Sequence, residues 1–255
     1  MKAQQRTSGR RRPATRTIPT GSLADEAYVR LKRNIIRCEL PPDVLVTESR
    51  LVRESGLGKT PVREALARLV QEGFVRSIPR HGYVVAPVTL QDVDELFGLR
   101  LIVEPAAAEL AAGRVDPALL RELDEVCTST VDPADAEERL DRQLQANREL
   151  HLTIARASGN RRLAEVVERL LDESERMLHL SLLFRDRQTG MVHDHHHLIE
   201  AVVAGDGQTA RRVAIEQLQA YQRTVTEALL ASPSILSAHV TAPGPLHLVP
   251  PAEPP

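Results

Sequence analysis

Two short segments carry side chains equipped to grip a polyanion. Lys59, Thr60 and Arg63 cluster where the pattern predicts a helix start, opposite its apolar face. A helix start offers unpaired backbone N–H groups and the positive end of a dipole, which suits phosphate. Arg63 can reach a guanine edge bidentately in a major groove, or hold a phosphate. Downstream, Arg80, His81 and Gly82 sit at a predicted hairpin tip, suited to the nucleic-acid backbone or the narrower minor groove. Gly82 would let the main chain approach closely. The plainer alternative is a set of solvated charges on a small helical domain.

Further along, Arg100 shares the inward side of a predicted helix with Val93, Leu96 and Val103. A semi-buried arginine there is either a clamp for a carboxylate effector or half of an internal ion pair with Glu104, four residues on. The spacing leaves both open. The run His193-Asp194-His195-His196-His197 invites a metallohydrolase reading. It opens an amphipathic helix continuing through Leu198, Ile199, Val202 and Val203, however, and helical geometry turns neighbouring histidines to different faces. Most should be solvated, and a metal-dependent enzyme is not expected.

Local signals supply the elements that position these groups. Ser22 with Asp25 starts a helix whose face is Leu23, Ala27, Leu31 and Ile35, stopped by Pro41-Pro42. Thr47 caps a second, closed by Gly56. Thr60 before Pro61 reads as the capping hydroxyl of a third, which packs Val62, Leu66, Leu69 and Val70 inward and ends at Gly73. Phe74–Ile78 and Tyr83–Ala86 read as a hairpin. Three helices and a hairpin make a winged helix-turn-helix. From Thr89 the pattern is wholly helical, with helices near 90–112, 117–130, 134–157, 160–184, 190–204 and 207–231. Pro105 should kink the first of these.

The 255 residues allow two ordinary domains, and 42% hydrophobic with 2% aromatic residues implies a core of Leu, Val, Ile and Ala, which favours helices. The fold class expected is mainly α. A basic arm (1–20) and a Pro-rich tail (232–255), both disordered, flank a DNA-binding domain (21–88) and an all-helical bundle (89–231). Net charge divides sharply: residues 1–88 hold 17 Lys+Arg against 8 Asp+Glu, and 89–255 hold 16 against 27. An anion-binding front and an acidic rear follow. Two cysteines, Cys38 and Cys127, fit no ligand spacing and point to a reducing cytoplasm. No apolar run reaches a membrane span, so no membrane partner is expected.

The stretch Thr60-Pro61-Val62-Arg63-Glu64-Ala65-Leu66, with Leu69, Glu72-Gly73 and then His81-Gly82, resembles the GntR family of bacterial regulators over about residues 22–88. The resemblance implies that Lys59, Thr60, Arg63, His81 and Gly82 touch operator DNA. Gly58 stands where the family usually has Ser or Thr, and Lys59 where Arg is usual. The rear resembles the FCD effector domain of the FadR-like branch through Asp92–Arg100–Glu104, His151 with Ala157-Ser158-Gly159-Asn160, and Asp194-His195 leading to Ala201 and Gly205-Asp206. That family surrounds one divalent metal, here zinc or nickel, with an acidic or amide residue and three histidines. The corresponding residues are Asn147, His151, His195 and Gln217, of which Gln217 departs from the pattern.

The function expected is a homodimeric, cytoplasmic, operator-binding repressor. Its rear domain would sense a small carboxylate or sugar acid, with or without the metal. A rival is a regulator whose rear domain has lost its ligand and only dimerises, a reading prompted by Gln217.

Overall fold

Capping residues set most helix starts in the computed structural model, which describes residues 21–129, 136–182 and 195–230. The arm at 1–20 and the tail at 232–255 lie outside the described residues. Ser22 and Asp25 form a reciprocal capping box that opens α1 (Leu23–Ile36). Ala27, Leu31 and Ile35 are buried, whereas Leu23 in the first turn is 60% exposed. The helix stops at Arg37, before the Pro41-Pro42 pair, and Cys38 takes φ 57°. Thr47 caps α2 (Glu48–Ser55) by accepting from Arg50 N, and Gly56 closes it at φ 69°.

α3 (Lys59–Gln71) begins two residues earlier than expected. Its N-cap is Gly58, which offers no side-chain acceptor, so Thr60 lies inside the first turn and is not the cap. Val62, Leu66 and Leu69 are buried, while Val70 stays partly in solvent.

The hairpin is β2 (Val75–Ile78) with β3 (Gly82–Val85), and a two-residue β1 (Leu45–Val46) completes an antiparallel sheet in the order β1-β3-β2. Sequence pattern missed β1, because two residues carry no periodicity. Gly82 explains why the strand fits there. At φ 112°, it would place a Cβ only 2.5 Å from the Val46 carbonyl oxygen. The demand for glycine is thus met inside the sheet. Val46, Val75 and Val85 close the core over Leu31, Leu51 and Leu66.

Behind the sheet lie α4 (Leu90–Ala111), α5 (Pro117–Thr128), α6 (Ala136–Ala157), α7 (Arg161–Leu182), α8 (His196–Ala204) and α9 (Gly207–Leu230). Thr89 and Asp92 form a second capping box, and Asp116 caps α5 ahead of Pro117. Pro105 does not end α4, which continues through Ala107, Ala108 and Ala111, all buried. α4 runs through the bundle and packs on α6, α7, α8 and α9. One core surrounds Leu150, Leu198 and Val202, and another Phe97, Leu170, Met177 and Val225. The fold is mainly α, a small winged helical module followed by a helical bundle. No helix among the described residues is long and apolar enough to cross a membrane.

Candidate DNA-binding edge and effector pocket

The uncapped start of α3 projects Lys59, Thr60 and Arg63 into solvent. The Lys59 side chain is 74% exposed, with Nζ 3.9 Å from Glu48 Oε2 in the first turn of α2. Arg63 makes no hydrogen bond or ion pair among the described residues. At the hairpin tip Arg80 adopts φ 67°, and His81 Nδ1 lies 3.0 Å from the Pro79 carbonyl. Arg80 and His81 are exposed. The two segments are joined through α2, since Gly82 abuts Val46 and Thr47 while Lys59 approaches Glu48. One edge therefore carries both groups of cations. Five of the six positions expected to meet a polyanion are exposed, and Gly82 packs against Val46 and Thr47.

In the bundle the structure brings His151 of α6 and His195, the residue before α8, into edge-to-face contact with ring centroids 5.3 Å apart. His151 Nδ1 lies 3.2 Å from Glu104 Oε2, and His195 Nδ1 lies 3.1 Å from Asp124 Oδ1 on α5. Burial alone would raise the Glu104 pKa, but the Arg100 guanidinium and His151 overcome it and hold the carboxyl down at about 2. An ionised carboxylate can only accept, so His151 Nδ1 is the donor of their hydrogen bond.

Of the two roles open to Arg100, the structure shows the internal ion pair with Glu104. Its Nε donates to Glu104 Oε1 at 2.5 Å, and its Nη1 donates to Ser174 Oγ of α7 at 2.6 Å. Its guanidinium also lies over the rings of Phe97 and Tyr221, 5.1 and 5.4 Å from their centroids. With Nη2 also 3.4 Å from Glu104 Oε2, these contacts engage three of the five guanidinium N–H groups and leave one on each terminal nitrogen. The i,i+4 spacing had offered this pairing. By contrast, Asp124 and Ser174 had no local signal to announce them.

The histidine run diverges as helix geometry requires. His195 is buried, whereas the side chains of His196 and His197 are 63% and 74% exposed. His193 and Asp194 lie outside the described residues. Asn147 sits one turn before His151, and its Oδ1 is buried with no hydrogen-bond partner among the described residues. Gln217 on α9 is half-buried and lines an outward groove with His197, Glu200 and Glu216.

Two observations bear on whether these groups suit a divalent ion. Carboxylates anchoring Nδ1 of both imidazoles match the outer shell usual around metal-bound histidines. The orphaned Asn147 oxygen supplies a further donor. Among the described residues no three His, Cys, Asp or Glu side chains are grouped to hold a metal, so amide oxygens must complete the set. The donors therefore fit a divalent ion, at lower affinity than a three-histidine centre would give.

Comparison with known proteins follows the same division. Residues 23–85 match the family described as bacterial regulatory proteins, gntR family, and residues 95–220 match the FCD domain. The HTH-type transcriptional repressor GlaR of Escherichia coli (strain K12) is 31% identical over 195 residues, covering 73% of this chain and 87% of that protein. The HTH-type transcriptional regulator McbR of the same strain is 27% identical over 211 residues, covering 81% and 94%. The solved structure of E. coli McbR/YncC matches with a TM-score of 0.68 at 25% identity, over 82% of this chain and 99% of that one.

Proposed function

Since the chain belongs to the gntR family of bacterial regulatory proteins and carries an FCD domain, we propose that it is a homodimeric operator-binding repressor tuned by a small acid in its rear pocket. The families and relatives are transcription regulators and not enzymes. The observation that carries the DNA-binding role is the exposed start of α3, which has no side-chain cap and whose Arg63, beside the wing, is unpaired among the described residues. Lys59, Thr60, Arg80 and His81 would meet phosphate and groove around it. Repression is favoured by the printed description of GlaR as a repressor. A cytoplasmic setting follows from the DNA partner.

For the dimer, the support is α4. Besides its buried side it presents Leu99, Ile102 and Leu110 at 42%, 66% and 46% exposure. A helix that is apolar on both sides calls for a second covering surface. A second copy supplies one with two-fold symmetry, and two α3 helices then meet successive major grooves of a near-palindromic operator. Ile102→Glu is expected to convert a dimer to a monomer in sedimentation at micromolar concentration. An unchanged sedimentation coefficient would place the dimer seam elsewhere.

Within the pocket, His151, His195 and Asn147 would hold a divalent ion, with Gln217 on the neighbouring α9. Such an ion would supply a Lewis-acid anchor for a carboxylate. Asn147 Oδ1 would accept from a hydroxyl of a sugar acid, and Glu104 and Asp124 keep the imidazoles oriented. Thermal shift with zinc, nickel and a panel of hydroxy- and sugar acids tests this, because a ligand of the native state raises the melting temperature. Zinc or nickel is expected to raise it in the parent chain and not in His151→Ala. If neither metal nor acid moves it, the rear domain only dimerises.

A further inference from the structure

Ligand response requires that the rear domain be felt at α3, and a partly buried ion network links the two modules. Asp172 of α7 lies between the two modules with its side chain 11% exposed. Its Oδ2 accepts from Lys32 Nζ of α1 at 2.7 Å, and its Oδ1 accepts from Arg148 Nε and Nη2 of α6 at 3.1 and 2.9 Å. Lys32 also donates to Glu72 Oε2 at 2.8 Å and to Tyr28 Oη at 3.0 Å, and Tyr28 in turn donates to Glu72 Oε1 at 2.7 Å. Glu72 is the C-cap of α3.

The other end of the network reaches the helix that carries Asn147 and His151. Arg148 adjoins Asn147 and lies three residues before His151, so any movement of α6 that admits a ligand moves Arg148 with it. α7 touches the pocket separately, because Ser174 receives Arg100. Two residues apart on a helix, Asp172 and Ser174 point to opposite sides. One side of α7 faces the front module and the other the Arg100–Glu104–His151 chain. Burial disfavours the Lys32 charge, yet the contacts with Asp172, Glu72 and Tyr28 raise its pKa above the ordinary lysine value. The ammonium therefore stays charged across the useful pH range and its geometry is constrained by charge on both sides.

We propose that Asp172 is the positioning residue that couples the rear pocket to the DNA-reading helix, one carboxylate oxygen following α6 through Arg148 and the other fixing α3 through Lys32 and Glu72. This rests on the operator-binding reading and deepens it by naming the route. When α6 draws Asp172 toward itself, Lys32 is left to Glu72 and Tyr28; when α6 withdraws, Asp172 serves Lys32 alone. Small displacements in a packed interface select between such arrangements without intermediate states. The intact network holds α3 in a fixed orientation, and a preoriented head loses less freedom on binding DNA.

The test uses the full chain and a duplex enriched by it from a random library. Arg148→Met and Asp172→Asn should each weaken binding to that duplex about fivefold, a size typical of coupling through residues remote from a ligand. The double variant should be no weaker than either single one, because both cut the same link. The salt slope should stay unchanged, since neither residue meets phosphate. Amides 69–74 should exchange hydrogen faster. Glu168→Gln, which touches Arg148 at 3.3 Å on a side chain 45% exposed, should bind as the parent does. If Asp172→Asn does not fold, Lys32→Met makes the same cut and carries the same expectation. Parent-like binding by Arg148→Met, or a double variant equal to the product of the two singles, would overturn the route while leaving operator binding intact. Failure to enrich any duplex would defeat the operator-binding reading itself, and this inference with it.

Discussion

Arg63→Ala is expected to bind its enriched duplex about 5- to 150-fold more weakly than the parent chain, a loss of about 1–3 kcal/mol, and to lose discrimination at one base position. The expectation rests on where the side chain is and what it does not do. Arg63 stands exposed in the first turn of α3 and makes no hydrogen bond or ion pair among the described residues. Truncation therefore removes a DNA contact without removing a folding contact, and the melting temperature should not move. A parallel Lys59→Ala should instead weaken all duplexes alike, because a flexible ammonium reads charge and not sequence. If Arg63→Ala binds the enriched duplex normally, α3 does not dock by its N-terminal turn.

Glu104→Gln is expected to lower the melting temperature by about 6–20 °C. Breaking a buried ion pair by removing one partner costs about 3–5 kcal/mol, and a chain of this size shifts about 2–4 °C for each kcal/mol. Arg100, at 2% exposure, would keep its charge and lose its carboxylate, and His151 would lose the charged acceptor of its Nδ1 hydrogen bond. A double change, Arg100→Met with Glu104→Met, should recover much of the loss, because no charge is then left unmatched. The pH dependence has a definite sign. Glu104 is held at about 2, below its ordinary value of 4.5, so its contribution is fully present above pH 4.5 and is lost as pH falls toward 2. Parent and Glu104→Gln stabilities should thus converge on acidification through that window. A gap that stays constant down to pH 2 would show that the pair is not what Glu104 contributes.

How much of this was legible beforehand depended on whether the cause was local. Ser22 with Asp25 and Thr47 announce helix starts within four residues and are readable as caps, and Thr89 with Asp92 and Asp116 with Pro117 supply the same local signal where helices were expected near 90 and 117. The start of α3 is misplaced because Thr-Pro has the chemistry of a cap and a first turn, yet the chain turns helical two residues sooner, at Lys59 after the Gly58 cap. β1 was invisible because it exists only by pairing with β3, across the close approach that Gly82 allows. The Arg100–Glu104 pair was readable as an i,i+4 alternative, and the geometry shows it. Asp124, 71 residues from His195, and Asp172, facing Lys32 across the module boundary, could not be read. Such partners are decided by how helices stack, and a single sequence carries no local trace of that.

The exposed cationic edge of the winged module is the claim on which the regulator stands. Its most direct test is fluorescence anisotropy of the purified chain with the enriched duplex and a scrambled duplex of equal length, titrated with salt. The account predicts about a thousandfold or greater preference for the enriched duplex, with log affinity falling linearly in log salt for both. Equal affinity for the two duplexes at every salt concentration would contradict it.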